Sequence, residues 1–498
     1  MGKITIKIDR FDGGISSDLR SKTSNKYSIT KHFDTFSYPH RLVPRQKSAA
    51  ITGEDKTVKI VKMIWAPYGS ATVFRLWGFG SGATDKVVAQ TYNEAGGIWE
   101  AWSGQSSGAR WTQVFFHYNN YVYSFHTTTK LGRNDCVAGS GYADFQTVAT
   151  ITSLAEPVYH PADDNAYFFV NNVVHVLTRA DAWSTGLTLP TNLKIACACA
   201  HGDYLAIGCA PIDATLRTEH SIVYLWDRDS SLATLTARYD FGQGAIKHLA
   251  SLDGRLIGVV DTGIGNLNLP IEAAVLICEA SGTTMRILNR IPVDDGDYSS
   301  PFTDTRAVKY DKLYFPLKAT LDGDTRLGIW SVDSSGRTTI DYVEEEATSY
   351  EHILPFGDTW YICHSGDYST NISSTYNVLG THFSTTLASI YESLIFDGGD
   401  TSQKKKLLGV TVMFEPLPTA GQVVLKYKLD ADLDAASWTT IFTHTTDDSL
   451  SHSAVNRESG GVQFPEFKEI QFQISSTGGA VITGLKCRYE IVGKDIYD

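Results

Sequence analysis

Two runs of acidic residues are the strongest candidates for chemistry in this chain. They are Asp294-Asp295-Gly296-Asp297 and Glu344-Glu345-Glu346. Hydrolysis of a glycosidic bond uses a pair of carboxylates at a fixed separation across a cleft. Runs of like charge are, however, most often solvated loops, and the sequence does not show that two of them converge. We therefore assign no catalytic residue and expect the protein not to be an enzyme.

Three further motifs point to metals or turns. Asp430-x-Asp432-x-Asp434 begins like a calcium loop, but Ala435 and Ile441 stand where that loop needs Gly and Glu, so a polar hairpin is the better interpretation. Cys197-x-Cys199 could be half of a metal site, but no nearby Cys or His pair completes it. Residues 331–338 depart from the Asp-box of sialidase-type propellers and are interpreted as a turn. We expect no metal and no cofactor.

A repeated hairpin returns about every 40 to 60 residues from Gly69 to Asp358. Each copy has a polar turn, such as Asn119-Asn120, Asp253-Gly254 or Gly357-Asp358, followed by aromatic and β-branched residues. Asp-Gly between apolar runs predicts a β-hairpin. Seven such copies, each with room for four short strands, are typical of propeller blades. We predict an all-β chain in which residues 52–385 form a seven-bladed β-propeller; the alternative is an irregular stack of antiparallel sheets.

The N-terminal arm, residues 1–51, has a different character. Ile4, Ile6 and Ile8 alternate with polar residues and predict a strand that must join a sheet. Gly13-Gly14 predicts a sharp turn, and extended chain follows. Residues 1–50 carry ten Lys and Arg against four Asp, although the whole chain has a net charge of −12. We therefore expect the arm to lie against an acidic surface of its own chain or of a neighbour.

The last hundred residues alternate between apolar and polar positions, for example in Val410–Phe414 and Ile470–Ile474. This period of two predicts a separate antiparallel β-sandwich over residues 386–498. A lysine triplet, Lys404-Lys405-Lys406, lies near its start. Such a triplet is typical of a solvated linker or of a guard against edge-strand aggregation.

Composition and charge exclude several other classes. A net charge of −12 argues against a specific nucleic-acid binder. No apolar run approaches the 18 or more residues of a membrane span, and the N-terminus lacks the apolar core of a signal peptide. Seven scattered cysteines do not form a disulfide framework, which favours synthesis in a reducing cytoplasm.

Taken together, three features resemble the tail proteins of tailed bacteriophages. They are the arm beginning Phe11-Asp12-Gly13-Gly14-Ile15-Ser16, the aromatic propeller, and the sandwich containing Phe414-Glu415-Pro416-Leu417 and Lys468-Glu469-Ile470-Gln471-Phe472. Similar proteins combine a propeller with β-sandwich modules and assemble as rings at the lower tail, nozzle or baseplate. The resemblance implies a structural virion component that is made in the host cytoplasm, contacts other tail proteins and forms a homo-oligomeric ring.

On this interpretation the arm docks onto neighbouring subunits by strand addition, and its basic residues meet acidic partners. The predicted subunit interface consists of Ile4, Ile6, Ile8, Phe11, Gly13, Gly14, Lys22, Lys26, Lys31, Arg41 and Arg45. Two alternatives remain. One is a propeller at a tail tip that binds a host receptor or surface glycan, and the other is a carbohydrate-active hydrolase.

Overall fold

The structure is a computed structural model of the chain. It describes residues 3–16, 19–20, 25–36, 38–44, 49–50, 59–69, 73–81, 87–93, 98–101, 114–127, 129–137, 142–212, 220–229, 235–262, 274–292, 305–321, 324–343, 347–356, 359–366, 376–380, 388–430, 437–456 and 463–494. No α-helix occurs in these ranges, and they contain no helix long and apolar enough to cross a membrane.

The N-terminal arm contains five short strands. Their bounds are β1 Lys3–Ile8, β2 Tyr27–Lys31, β3 Phe33–Asp34, β4 Val43–Pro44 and β5 Ala49–Ala50. Only β3 and β4 pair with each other. The other three strands join sheets formed by later parts of the chain, so the arm is threaded through the molecule.

The first three blades of the propeller follow in order, each as an antiparallel four-stranded sheet. Blade one contains β6 Lys59–Pro67, β7 Phe74–Ser81, β8 Val87–Asn93 and β9 Ile98–Ala101. Blade two contains β10 Phe115–Tyr118, β11 Tyr121–Thr127, β12 Lys130–Asn134 and β13 Ala143–Thr147. Blade three contains β14 Leu154–His160, β15 Asn165–Val170, β16 Val173–Leu177 and β17 Trp183–Thr188.

Four more blades complete the set. Blade four contains β18 Leu193–His201, β19 Tyr204–Pro211, β20 His220–Trp226 and β21 Leu235–Gln243. Blade five contains β22 Ala245–Leu252, β23 Arg255–Asp261, β24 Ala274–Ser281 and β25 Thr284–Pro292. Blade six contains β26 Ala307–Lys309, β27 Lys312–Leu321, β28 Asp324–Asp333 and β29 Thr338–Tyr342. Blade seven contains β30 Ala347–Phe356, β31 Thr359–Gly366 and β32 Tyr376–Gly380.

The seven blades form a closed ring. The innermost strand of each blade contacts the next blade, and β30 of blade seven contacts β6 of blade one. The fourth strand of blade seven is β5 of the arm, with Ala50 opposite Leu379 and Ala49 opposite Gly380. Chain from before blade one and from the end of the ring therefore shares one sheet, and the hydrogen bonds between β5 and β32 close the ring. The prediction of an all-β fold with a seven-bladed propeller is confirmed.

The hairpin turns explain why the strands end where they do. Asn119 and Asn120 have φ of 49° and 64°, and Asp253 and Gly254 have φ of 47° and 73°. Consecutive residues with positive φ form the turns whose twist matches that of paired strands, and Asn, Asp and Gly adopt them at the lowest cost. These two turns were predicted from the sequence. The predicted turn at Gly357-Asp358 lies outside the described residues.

The C-terminal strands are β33 Ser389–Ser393, β34 Gln403–Phe414, β35 Gln422–Leu429, β36 Thr439–His444, β37 Ser451–Val455, β38 Glu466–Phe467, β39 Ile470–Thr477 and β40 Ile482–Lys494. They form a sandwich of two antiparallel sheets that also includes two arm strands. The first sheet has the order β1-β40-β34-β37, with β38 also paired to β34, and the second has the order β2-β33-β39-β35-β36.

The propeller and the sandwich share one hydrophobic core cluster. It extends from Val259 and Trp330 in blades five and six, through Ile15 and Tyr27 of the arm, to Phe472 of the sandwich. Burial of apolar surface is the main favourable term in folding. The arm therefore lies where the two units are held together.

One residue of the lysine triplet departs from its prediction. Lys405 is fully buried on β34, and its Nζ donates hydrogen bonds to the carbonyl oxygens of Asp400, Gln403 and Lys468 at 2.6, 2.9 and 2.9 Å. Burial is the first cause of a lowered pKa at Lys405. The interpretation of the triplet as a solvated linker or edge guard was wrong for this residue. Three carbonyl oxygens accept the hydrogen bonds that its ammonium group would otherwise donate to water.

Candidate functional site

The arm residues predicted to form a subunit interface are the natural starting point. On β1, Ile4 lies opposite Tyr489, Ile6 opposite Cys487 and Ile8 opposite Leu485, all in the antiparallel pair with β40. Ile8 is buried, and Ile4 and Ile6 pack against the sandwich core. The alternating isoleucines predicted that β1 must join a sheet, and that sheet belongs to the same chain.

The turn after β1 is tightly packed. Phe11 is buried with its ring edge-on to Tyr391 at 5.3 Å. The N–H of Gly13 donates to the carbonyl oxygen of Asn25 at 3.0 Å, and a Cβ at Gly13 would lie 2.5 Å from the Asn25 carbonyl carbon. Gly14 has φ of 79° and lies against Thr338 of blade six. Both glycines are needed here, the first for close approach of two backbones and the second for its conformation.

A buried carboxylate links this turn to blade six. Asp12 is 4% exposed and accepts from Arg10 Nη2 at 2.8 Å and from Arg337 Nη1 at 3.0 Å. Arg337 Nε contacts Asp333 Oδ2 at 2.6 Å, so its guanidinium joins two carboxylates. Burial alone would raise the pKa of Asp12, but the hydrogen bond and charge of Arg10 outweigh it and the pKa lies below its ordinary value.

Main-chain and hydroxyl contacts extend this junction. The N–H of Ile15 donates to the carbonyl oxygen of Thr338 at 2.8 Å, and the hydroxyls of Thr30 and Thr339 are 3.0 Å apart. We call the contact of arm residues 12–16 and 25–32 with blade-six residues 333–342 the arm junction. It positions the outer strand of blade six against the sandwich.

Two basic arm residues form ion pairs with acidic residues of the same chain. Arg41 Nη1 lies 2.6 Å from Glu415 Oε1 in the sandwich. Arg20, which sequence reasoning did not select, forms a bidentate pair with Glu469 at 2.8 and 3.0 Å. Lys26 and Lys31 are half-buried beside and on β2. Lys22 and Arg45 lie outside the described residues.

A second group of charges lies at the centre of the propeller. Lys62 of blade one forms an ion pair with Glu156 of blade three. Arg306, just before blade six, donates to the carbonyl oxygens of Leu249 in blade five and Ala198 in blade four. The ion pair joins the innermost strands of blades one and three, and Arg306 connects blades four and five to the start of blade six.

Two buried histidines accompany these central cations. Burial, followed by the charges of Arg306 and Lys247, holds the pKa of His248 well below its ordinary value. Burial and then Lys62 do the same for His352. Register shifts precede Lys62, His248 and His352 on their innermost strands. Such bulges redirect side chains, a signal that hydrophobic periodicity does not contain.

The motifs considered for catalysis or metal binding occupy ordinary structural positions or lie outside the description. Residues 293–300 and 344–346, which hold the two acidic runs, are not described, nor are Asp432 and Asp434. Asp430 Oδ1 accepts from the N–H groups of Lys468 and Glu469 at 2.8 and 2.7 Å. Asp333 Oδ1 accepts from the N–H groups of Ser335 and Arg337, both at 3.0 Å, in the turn between β28 and β29.

The two cysteines of the Cys-x-Cys motif lie on β18, where Cys197 is buried. Burial raises the pKa of Cys199 to about 12, so this thiol stays protonated at neutral pH. Within the described part of the chain, no group of three or more His, Cys, Asp or Glu side chains is placed to hold a metal ion.

Comparison with known proteins shows no family for this chain. No protein family matches the sequence, and no curated protein matches it. The WD40 β-propeller domain of Doa1 is 10% identical, with a TM-score of 0.43, over 68% of this chain and 96% of that one. Virginiamycin B lyase from Staphylococcus aureus is 11% identical, with a TM-score of 0.43, over 65% of this chain and 97% of that one. A glycoside hydrolase is 10% identical, with a TM-score of 0.27, over 86% of this chain and 99% of that one. All three TM-scores are below 0.5, and at this level of similarity the neighbours indicate nothing about the activity of this β-propeller protein.

Proposed function

We propose that the protein is a structural component of a bacteriophage virion tail, a ring-forming nozzle, hub or baseplate protein without enzymatic activity. The observation that carries the proposal is the path of the arm. The arm supplies a strand to each sheet of the sandwich and the last strand to blade seven. A propeller and a sandwich held in this way form one rigid block, which suits a part that bears load in an assembly.

The distribution of charged groups supports the same proposal. Lys62, Arg306 and Arg337 make contacts that join one blade to another or the propeller to the arm. Ionisable groups in catalytic sites face a substrate, whereas these face the protein itself. The resemblance of the arm and of the sandwich segments to tail proteins supplies the specific assignment to a virion.

Immunogold labelling of virions tests the proposal. Antibodies raised against the purified chain should label the tails of the phage that encodes it, and pre-immune serum should not. Phage in which the gene carries an early stop codon should yield particles with incomplete tails, and supplying the gene from a plasmid should restore them. Complete infectious particles without the protein would contradict the proposal.

A further inference from the structure

The first sheet of the sandwich ends in two strands that each have one edge without a partner strand. Among the described residues, β1 pairs with β40 alone and β37 pairs with β34 alone. An edge strand presents a row of unpaired N–H and C=O groups that can receive a strand from another chain.

The strand directions make these two edges complementary. The pairs β1–β40, β40–β34 and β34–β37 are all antiparallel. With four alternating strands, β1 and β37 run in opposite directions. A second copy placed beside the first in the same orientation would therefore bring its β1 antiparallel to β37, which is the favoured pairing.

The second sheet cannot extend in the same way. Its five strands are also antiparallel throughout, so β2 and β36 run in the same direction. In addition, β2 contacts β29 of blade six. The first sheet is thus the one with two matched edges at opposite sides.

The alternation of side chains fixes the register. Lys3, Thr5 and Lys7 are exposed on β1, as are Ser451, Ser453 and Val455 on β37. Because inward-facing residues must stay on the core side, exposed residues must lie opposite exposed residues. The register that pairs all five residues of β37 with β1 places Val455 opposite Lys3, Ser453 opposite Thr5 and Ser451 opposite Lys7.

Charge and exposed apolar surface fit a second copy of the chain. In this register Asp448, exposed in the turn before β37, lies across from Arg10, whose side chain is 54% exposed. Two large apolar side chains beside the β37 edge, Leu450 and Val455, are 60% and 41% exposed. A neighbour's basic β1 would cover this apolar surface and approach Asp447 and Asp448.

We propose that copies of this chain assemble head to tail by adding β1 of one copy to the β37 edge of the next. Such a contact uses two different surfaces, so it produces a ring when the rotation closes. The inference rests on the proposed function and specifies which surfaces form the ring. The partner is a second copy of the same chain.

Lysines introduced on β37 test this pairing. In the full-length Ser451→Lys/Val455→Lys variant, two lysines would face Lys7 and Lys3 of the neighbour. We expect the dissociation constant of the assembly to rise at least about tenfold, because like charges directly opposite in a sheet are destabilising. The matched control is Thr439→Lys/Thr443→Lys on β36, the edge of the other sheet, which should assemble like the wild type. Sedimentation velocity across a concentration series measures all three proteins.

Charge reversal provides the rescue. Adding Lys3→Glu/Lys7→Glu to the β37 double variant should restore assembly, since each new lysine would again face an opposite charge. Equal melting temperatures of the variants would show that they fold alike. A wild-type chain that stays monomeric, a β37 variant that assembles normally, or a β36 control that fails equally would each overturn the pairing. Immunogold labelling tests the virion role independently, so the pairing can fail while that role stands.

Discussion

At the scale of single residues, the ionisable side chains of the interior are of two kinds. Some stay charged and hydrogen-bond to partner groups, and others stay neutral. Lys405 and Asp12 keep partners, three carbonyl groups in one case and two guanidinium groups in the other. His175 belongs to the second kind. It is 9% exposed on β16 and stacks on Trp183 with ring centroids 4.9 Å apart, and burial lowers its pKa to about 4.

Because the pKa of His175 is low, we expect the protein to lose stability in mild acid. Above the ordinary histidine pKa of about 6.5 both the folded and the unfolded state hold a neutral ring. As pH falls from 6.5 towards 4, the unfolded state takes up a proton that folded His175 resists, so the free energy of unfolding decreases. When the pH is lowered from 7 to 5, the free energy of unfolding of His175→Phe should decrease by about 1–2 kcal/mol less than that of the wild type. Urea unfolding at the two pH values measures this difference.

The same titration can be checked with a control. Val308→Phe, at an exposed position of blade six, changes no ionisable group and should keep the wild-type dependence on pH. A Phe substitution at position 175 preserves the stacking on Trp183 while removing the titrating ring. Identical pH profiles for the wild type and His175→Phe would show that His175 takes up a proton as readily in the folded protein as in the unfolded one.

At the scale of elements, close backbone contact in the arm controls stability. Gly13 and Gly69 offer a comparison. A methyl group at Gly13 would meet the Asn25 main chain at 2.5 Å, whereas at Gly69, with φ of 71°, it would meet nothing within 4 Å. Gly13→Ala should therefore cost about 2–4 kcal/mol because two backbones must separate, and Gly69→Ala about 1 kcal/mol for its backbone conformation alone. Thermal unfolding of both variants measures the difference, and equal costs would contradict tight packing at the arm turn.

The elements also show what sequence could and could not predict. Alternation in β34 and β39 and the turn residues at Asn119-Asn120 are local signals, and they led to the correct fold. The destination of β1 is not a local property, because an alternating strand is compatible with any sheet that has a free edge. Likewise, nothing near Lys405 in the sequence shows that three carbonyl groups will surround it. The cross-blade contacts of Lys62 and Arg306 depend on ring closure and were missed for the same reason.

At the scale of the whole molecule, the arm is part of both folded units. Seven of its apolar side chains belong to the shared core cluster, namely Ile8, Phe11, Ile15, Tyr27, Ile29, Phe33 and Leu42. Fully burying a large apolar side chain contributes about 1.5–3 kcal/mol, so the loss of all seven, about 10–20 kcal/mol, is comparable to or larger than the net stability typical of a domain. The chain therefore needs the arm to fold, whether or not the arm also takes part in assembly.

Deleting residues 1–50 should therefore prevent the sandwich from folding and leave blade seven with three strands. Circular dichroism and limited proteolysis should show that the C-terminal residues 388–494 lose their protected structure, since each sheet lacks an arm strand. Coexpression of residues 1–50 as a separate peptide should restore protection, because the arm's contacts do not depend on its covalent link. A truncated chain with the melting temperature of the full protein would contradict this role. It would mean that the propeller and the sandwich fold without the arm.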